Sequence, residues 1–178
     1  MNEFEAVDSE VQWEGSFLRA GLERFRYPDG AEVSRDKVWH QGAVGIVAVD
    51  EQSVWLTRQP REVVNARASL EIPAGKLDVP GESPLETGQR ELREEIGKQA
   101  GSWEEIVSFF TSPGFSDERV WLFLATDLSD CGVGSADEDE RIEVARWPLD
   151  RLDQAISETD DGKTLVALLW LKGRRPQD

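Results

Sequence analysis

Arg90, Glu91, Glu94 and Glu95 stand close together in the run Arg90-Glu91-Leu92-Arg93-Glu94-Glu95, with Glu82 a short way upstream. Clustered carboxylates are hard oxygen donors, suited to divalent cations such as magnesium. On a helix, Glu91 and Glu95 fall about 40° apart and Glu94 about 60° to the other side of Glu91, so one edge carries all three. Leu92 and Ile96 lie just beyond Glu95. The carboxylates therefore border the apolar stripe, a costly place for like charges unless a cation relieves them. The structural alternative is a solvated face on which Arg90 and Glu94 form an i,i+4 pair, in the less favourable order.

A helix has to hold that edge, and its ends are written in the chain. Ser83-Pro84-Leu85-Glu86 offers a serine N-cap, proline at the first helical position and glutamate at the third, the pattern of a capping box. Gly97 is a natural stop. Leu85, Gly88, Leu92 and Ile96 recur at helical spacing, which predicts a helix of about three to four turns with one stripe against a core. Residues 75–83, rich in Gly and Pro, read as the loop before it.

Strands surround this loop and helix. "VQWEGSFLRAGLERFRY" and "AEVSRDKVW" flank Pro28-Asp29-Gly30, a turn that predicts antiparallel pairing. "GAVGIVAVD" and "SVWLTRQP" continue the meander across a turn at Asp50-Glu51-Gln52. Farther on, "WEEIVSFFTSP" and "ERVWLFLATDL" are broken by Pro113-Gly114-Phe115-Ser116-Asp117, and "RIEVARWPL" reads as a last strand. The polar stretch "SDCGVGSADEDE" has no periodicity and reads as a loop. "LDRLDQAIS" predicts a short helix, and "KTLVALLWLK" an apolar one that packs on the sheet. The fold class is α+β with a mixed sheet.

Composition narrows the functions. A length of 178 residues suits one domain with an extension. The net charge of −16, from 36 acidic and 20 basic residues, opposes binding to nucleic acid, and no basic patch offsets it. Cys131 stands alone, so no disulfide or thiolate zinc site forms within one chain, and a reducing compartment fits. "MNEFEAVDSE" has neither a basic start nor an apolar run, and no segment approaches the roughly 20 apolar residues of a spanning helix. The expectation is a cytoplasmic protein with no membrane partner.

Gly75, Glu82, Arg90, Glu91, Leu92, Glu94, Glu95 and Gly97 fit a longer template, G-x5-E-x7-R-E-U-x-E-E-x-G-U, where U is aliphatic. With each residue type at 5–10% of an average chain, the coincidence arises by chance at roughly one in 10^8 per starting position. The template is the Nudix box, and the chain resembles a Nudix hydrolase. The resemblance implies an α/β/α sandwich around a mixed β-sheet. Here an N-terminal antiparallel strand extension over residues 1–40 would precede the hydrolase domain over 41–178. The sequence departs from the template twice: "KLDVPG" places six residues, not five, between Gly75 and Glu82, and Lys98 takes the final aliphatic position.

The flanks resemble the ADP-ribose pyrophosphatase branch: "LEIPAGKLD" before the helix, Pro113 within "SPGFSDE", and "ADEDERIEV" before the last strand. This resemblance implies magnesium-dependent hydrolysis of the diphosphate of ADP-ribose, or of a related nucleoside diphosphate sugar, to AMP and ribose 5-phosphate by a metal-activated water. Two or three magnesium ions, with manganese as a substitute, would sit on the carbonyl of Ala74 and the carboxylates of Glu91, Glu95 and Glu140. Glu94 belongs to the same catalytic edge, Arg90 would orient the carboxylates, Glu82 would brace the loop, and Glu138 would activate the water, with a register of two residues open within "DEDE". Arg61 and Arg35 would bind phosphate or ribose, beside Gly114, Phe115 and Glu118.

Trp39 and Phe17 could stack on adenine or belong to the core, and His40 reads as a strand-end surface histidine. The branch also implies a homodimer, with residues 11–40 available to the interface. Three alternatives stay open: hydrolysis of another nucleotide sugar such as GDP-mannose, hydrolysis of a nucleoside triphosphate, and a non-catalytic ADP-ribose-binding module.

Overall fold

A computed structural model describes residues 3–132 and 141–174, in two compact units: Met1–Gly42 with Phe109–Arg119, and Ala43–Ser108 with Val120–Asp178. The first unit is built on an antiparallel sheet of β1 (Glu5–Glu14), β2 (Leu18–Arg26) and β3 (Glu32–His40). Its β2–β3 turn forms at Pro28-Asp29-Gly30 as expected, with Gly30 N–H donating to Tyr27 O (2.9 Å) and Asp29 Oδ1 accepting from Ala31 N–H (3.0 Å). "VQWEGSFLRAGLERFRY" is two strands, not one. It folds back at Gly15-Ser16-Phe17, where Gly15 N–H donates to Leu18 O at 2.9 Å. The acidic opening segment thereby becomes strand, registered partly by charge: Arg26 pairs with Glu5 (3.2 Å) on one neighbour and Glu32 (2.8 Å) on the other.

The second unit holds the mixed sheet. Its strands are β4 (Ala43–Val49), β5 (Ser53–Arg61), β6 (Ala66–Glu71), β7 (Ala74–Lys76), β8 (Lys98–Phe110), β9 (Arg119–Asp130) and β10 (Glu143–Pro148). The order is β10-β5-β4-β9-β8, with β6 on β5 and β7 on β4. β4 runs parallel to β9 and antiparallel to β5 and β7. Val44, Ile46, Val47 and Ala48 are all fully buried, which is why "GAVGIVAV" is a nearly unbroken apolar run. The Asp50-Glu51-Gln52 turn is real, its Asp50 Oδ1 accepting from the N–H groups of Gln52 (2.9 Å) and Ser53 (2.8 Å).

β4 changes partner partway along one edge. Ala48 and Val49 pair with β5, whereas Ala43–Gly45 pair with β7, and Ile46 N–H donates to Pro73 O (2.8 Å) at the junction. β5 peels away and the short β7 takes its place beside helix α1 (Pro84–Ile96). Sequence periodicity does not foresee β6 or β7, because neither shows an alternation long enough to read.

α1 starts on the predicted capping box: Ser83 N–H donates to Glu86 Oε2 (2.8 Å), and Glu86 N–H to Ser83 Oγ (3.3 Å). It stops at Gly97, whose N–H returns to Arg93 O at 3.0 Å. Leu92 and Ile96 join Ile46, Ala48 and Ala125 in one core cluster. Leu85 is only half-buried, while Thr87 and Glu95 join the buried face. Val47, one residue out of phase with Ile46 and Ala48, belongs to the other face of β4. Helix α3 (Gly162–Arg174) packs on β4 and β6, and the short α2 (Leu152–Glu158) packs on α3. Among the described residues no helix is long and apolar enough to cross a membrane.

Because the cap sets where α1 begins, Ser83→Ala should cost about 1 kcal/mol of unfolding free energy. Urea denaturation would measure it; an unchanged midpoint would mean that packing of Leu92 and Ile96 sets the start without the cap.

Candidate active site

The site begins where β7 meets α1. Glu95 is 8% exposed, and its Oε2 accepts the N–H of Ala74 at 3.0 Å, so helix and strand are tied by a hydrogen bond. Gly75 follows directly. A Cβ at Gly75 would stand 2.1 Å from the carboxylate carbon of Glu91, so only glycine lets that side chain lie against the backbone.

Arg90 organises the rest of the edge. Its Nη1 donates to Glu91 Oε1 (2.7 Å) and Glu94 Oε2 (2.9 Å), and its Nε faces both oxygens of Glu82 at 3.3 Å. Buried Thr87 donates its hydroxyl to Glu82 Oε2 at 3.0 Å, completing the brace. Desolvation works against the Arg90 charge, but Glu91, Glu94 and Glu82 outweigh it and raise the guanidinium above its ordinary value. The i,i+4 pair of the solvated-face alternative thus exists, as one limb of a larger knot.

The extra residue of "KLDVPG" lies in an exposed turn. Glu82 N–H donates to Val79 O (3.2 Å), and Gly81 has φ 88°, the type II pattern with proline second and a positive-φ glycine third. Glu82 still reaches Arg90. Lys98 replaces the expected aliphatic residue by lying over the Trp55 ring (4.3 Å to its centroid) while pairing with Asp130 (2.6 Å).

Arg61 is held by a residue that motif reading missed. Its Nε and Nη2 donate to Glu71 Oε1 and Oε2, both at 2.7 Å, leaving Nη1 outside the fork. Glu71 is 1% exposed in β6, and Lys163 Nζ donates to it as well (2.5 Å). Burial alone would push the Glu71 carboxyl up; hydrogen bonds from Arg61 and the charge of Lys163 hold it down, at about 2. The Glu71 bridge in turn raises Arg61, with smaller contributions from Asp161 and Glu95, so Arg61 lies within the field of the α1 edge. The one available signal was an acidic residue between the apolar Leu70 and Ile72.

The remaining candidates among the described residues belong to the first unit. Arg35, Gly114 and Phe115 belong to the first unit, where they line a 470 Å³ cavity with Phe4, Phe25 and Tyr27. Glu118, in the same unit, accepts from Thr111 Oγ1 (2.7 Å) and is not among the cavity's lining residues. Trp39 and Phe17 do not line it either: Trp39 lies beside Arg19 and Lys37, and Phe17 meets His40 edge to face. His40 ends β3 but is tucked in, 11% exposed, with Nδ1 accepting from Gly42 N–H at 3.0 Å. Glu138 and Glu140 lie outside the described residues.

Among the described residues no three acidic, histidine or cysteine side chains converge into a ready-made ion cage, because Glu91 and Glu94 turn onto Arg90 and Glu95 onto Ala74. The donor set itself fits a hard divalent cation: carboxylates along one helix edge, a strand backbone against them, and a cradle at Gly75 that a Cβ would fill.

Gly75→Ala should force Glu91 off the strand and reduce the affinity for manganese ions at least tenfold, as loss of a supporting contact does at metal sites; calorimetric titration reads it, and wild-type affinity would show that β7 can yield. The Glu71 carboxyl lies below its unfolded value of 4.5, at about 2, so the stability it contributes is complete above the unfolded value and lost as pH falls through this window. The loss amounts to about 3 kcal/mol at most. Urea unfolding across that range should show a steeper decline for the wild type than for Glu71→Gln; parallel declines would contradict the assignment.

Comparison with known proteins agrees with this geometry. The NUDIX domain pattern matches residues 39–169. The chain is 41% identical over 147 residues to the ADP-ribose pyrophosphatase of Mycobacterium tuberculosis (strain ATCC 25618 / H37Rv), covering 82% of this chain and 70% of that protein. It is 37% identical over 174 residues to the ADP-ribose pyrophosphatase of Bacillus subtilis (strain 168), covering 96% and 93%. A crystal structure of an ADP compounds hydrolase superimposes with a TM-score of 0.80 over 97% of this chain and 96% of that one, at 22% identity, which is a likeness of fold. With the family pattern spanning the sheet and the carboxylate-bearing helix together, the chain belongs to the Nudix hydrolases.

Proposed function

We propose that the protein hydrolyses the diphosphate of ADP-ribose, yielding AMP and ribose 5-phosphate with the consumption of one water. The observation that carries the reading is the α1 edge itself: Glu91 lies against Gly75, and Glu95 holds the N–H of Ala74. The two ADP-ribose pyrophosphatase relatives support the choice of substrate.

In this reading the Ala74 carbonyl, Glu91, Glu95 and Glu140 hold two or three magnesium ions, with manganese able to replace them. When bound, these ions supply charge neutralisation at the phosphate oxygens and a lower pKa for the attacking water. Arg90 keeps Glu91 and Glu94 in register along the edge. Arg61, fixed by the Glu71 fork, presents Nη1 to a diphosphate oxygen, and Arg35 binds phosphate or ribose. Glu138 removes the proton from the attacking water, because a helix carboxylate committed to a cation is a poor base. The chain acts as a cytoplasmic homodimer, residues 11–40 contributing to the interface, and binds neither nucleic acid nor membrane.

Incubation with magnesium and a panel of ADP-ribose, GDP-mannose and nucleoside triphosphates, with product analysis, tests the substrate. Turnover of ADP-ribose should exceed the others by at least about tenfold in kcat/KM; the reverse order would move the assignment to a different diphosphate. Glu95→Gln should lower kcat by roughly a thousandfold or more in a folded protein, and near-normal turnover would remove the metal role from this edge. Glu138→Gln should slow turnover with little change in metal affinity. If only Glu140→Gln behaves so, the two roles exchange.

A further inference from the structure

Residues 159–164, before and at the start of α3, grip the strand that enters the site. Thr159 Oγ1 donates to Leu70 O at 2.8 Å, Lys163 Nζ to Glu71 Oε2 at 2.5 Å, and Thr164 Oγ1 accepts from Ile72 N–H at 2.8 Å. Three consecutive residues are thus held by one distant segment. Leu70 O and Ile72 N–H point to the same side, away from β5, because alternate residues of a strand share a side. That side is the open edge of β6, and the two threonines fill it as a neighbouring strand would.

The polarity of the grip is set from behind. Asp161 Oδ2 accepts both the N–H (2.9 Å) and the hydroxyl proton (2.6 Å) of Thr164. With its proton committed to Asp161, the Thr164 oxygen can meet Ile72 N–H only as an acceptor. Asp161 Oδ1 also accepts from Lys163 (2.9 Å), and Asp161 N–H donates to Thr159 Oγ1 (3.1 Å), so each member orients another. Thr164 and Glu71 are 0% and 1% exposed, so a lost partner would leave a buried polar group unpaid.

Only Pro73 separates Ile72 from Ala74, and its ring fixes φ, so a displacement at Ile72 passes to Ala74 with little loss. Ala74 is where the strand meets Glu95. Lys163 reaches the site by a second path, since the Glu71 it holds is the fork that aims Arg61.

We infer that residues 159–164 form a clasp that positions the site, with Thr164 acting through Ile72 on the Ala74–Glu95 contact and Lys163 acting through Glu71 on Arg61. Both are positioning residues, and the assignment rests on the function proposed above. Thr164→Val removes the acceptor at nearly constant volume and should weaken manganese binding, measured by calorimetry without substrate, about tenfold. Lys163→Met should raise KM for ADP-ribose about tenfold and lower kcat less, leave manganese affinity in place, and be rescued by Lys163→Arg.

If both variants melt at lower temperature while manganese affinity and KM stay within about twofold of wild type, the segment is structural only and the inference is overturned. Should Thr164→Val not fold, Thr159→Val makes the same manganese measurement at the other end of the clasp, and unchanged affinity there counts equally against it. A wild type that turns over none of the panel refutes the proposed function. Manganese titration of the threonine variants still decides the clasp.

Discussion

Like charges on a helix edge repel weakly when solvated, by a few tenths of a kcal/mol per pair. At an effective dielectric of about 20 and a separation of about 5 Å, the same repulsion reaches roughly 3 kcal/mol. Glu91 and Glu95 lie nearer the second regime, with Glu95 in the buried face of α1 and Glu91 14% exposed, while Glu94 at their side is 37% exposed. The surrounding structure answers this constraint group by group. Arg90 places one nitrogen between Glu91 and Glu94 and another against Glu82, and Ala74 gives Glu95 a backbone donor. The result is an edge held at high charge density in a defined shape, which is what binding a divalent cation requires.

That edge is useful only if a backbone runs alongside it, and the sheet supplies one by letting β4 change partners. While β5 pairs with the later half of β4, β7 pairs with the earlier half and brings Ala74 and Gly75 under the helix. A strand of three residues has little stability alone. Its neighbours compensate: Pro73 O is held by Ile46 N–H, Ala74 N–H by Glu95, and residues 70–72 by the threonines and lysine before and at the start of α3. The start of helix α3 therefore braces the strand that leads to Ala74.

The two departures from the family template are absorbed by ordinary physics. The additional loop residue disappears into a proline-glycine turn on the surface, so Glu82 keeps its reach to Arg90. Lys98 covers Trp55 with its cationic end and finds Asp130, replacing aliphatic contact with a cation–π contact and an ion pair. Neither change disturbs the α1 carboxylates, because both fall outside the helix: one before its cap, the other after its stop.

Short-range information was enough for the parts whose cause is local. Ser83, Pro84, Glu86 and Gly97 bound α1 through contacts within a few residues, and the same helix period puts the three glutamates on one edge. The Pro28-Gly30 and Asp50-Gln52 turns follow from their own side chains. Tertiary structure alone decided the rest, since the deciding partners are far away along the chain. Glu95 is buried rather than peripheral because Ala74 returns to it, and Arg61 is aimed by Glu71, not free, because β6 folds back on β5. Lys163 and Thr164 read as an unremarkable helix start until that start is set against the open edge of β6. A single sequence shows which residues can bear charge, but long-range pairing determines which of those charges meet.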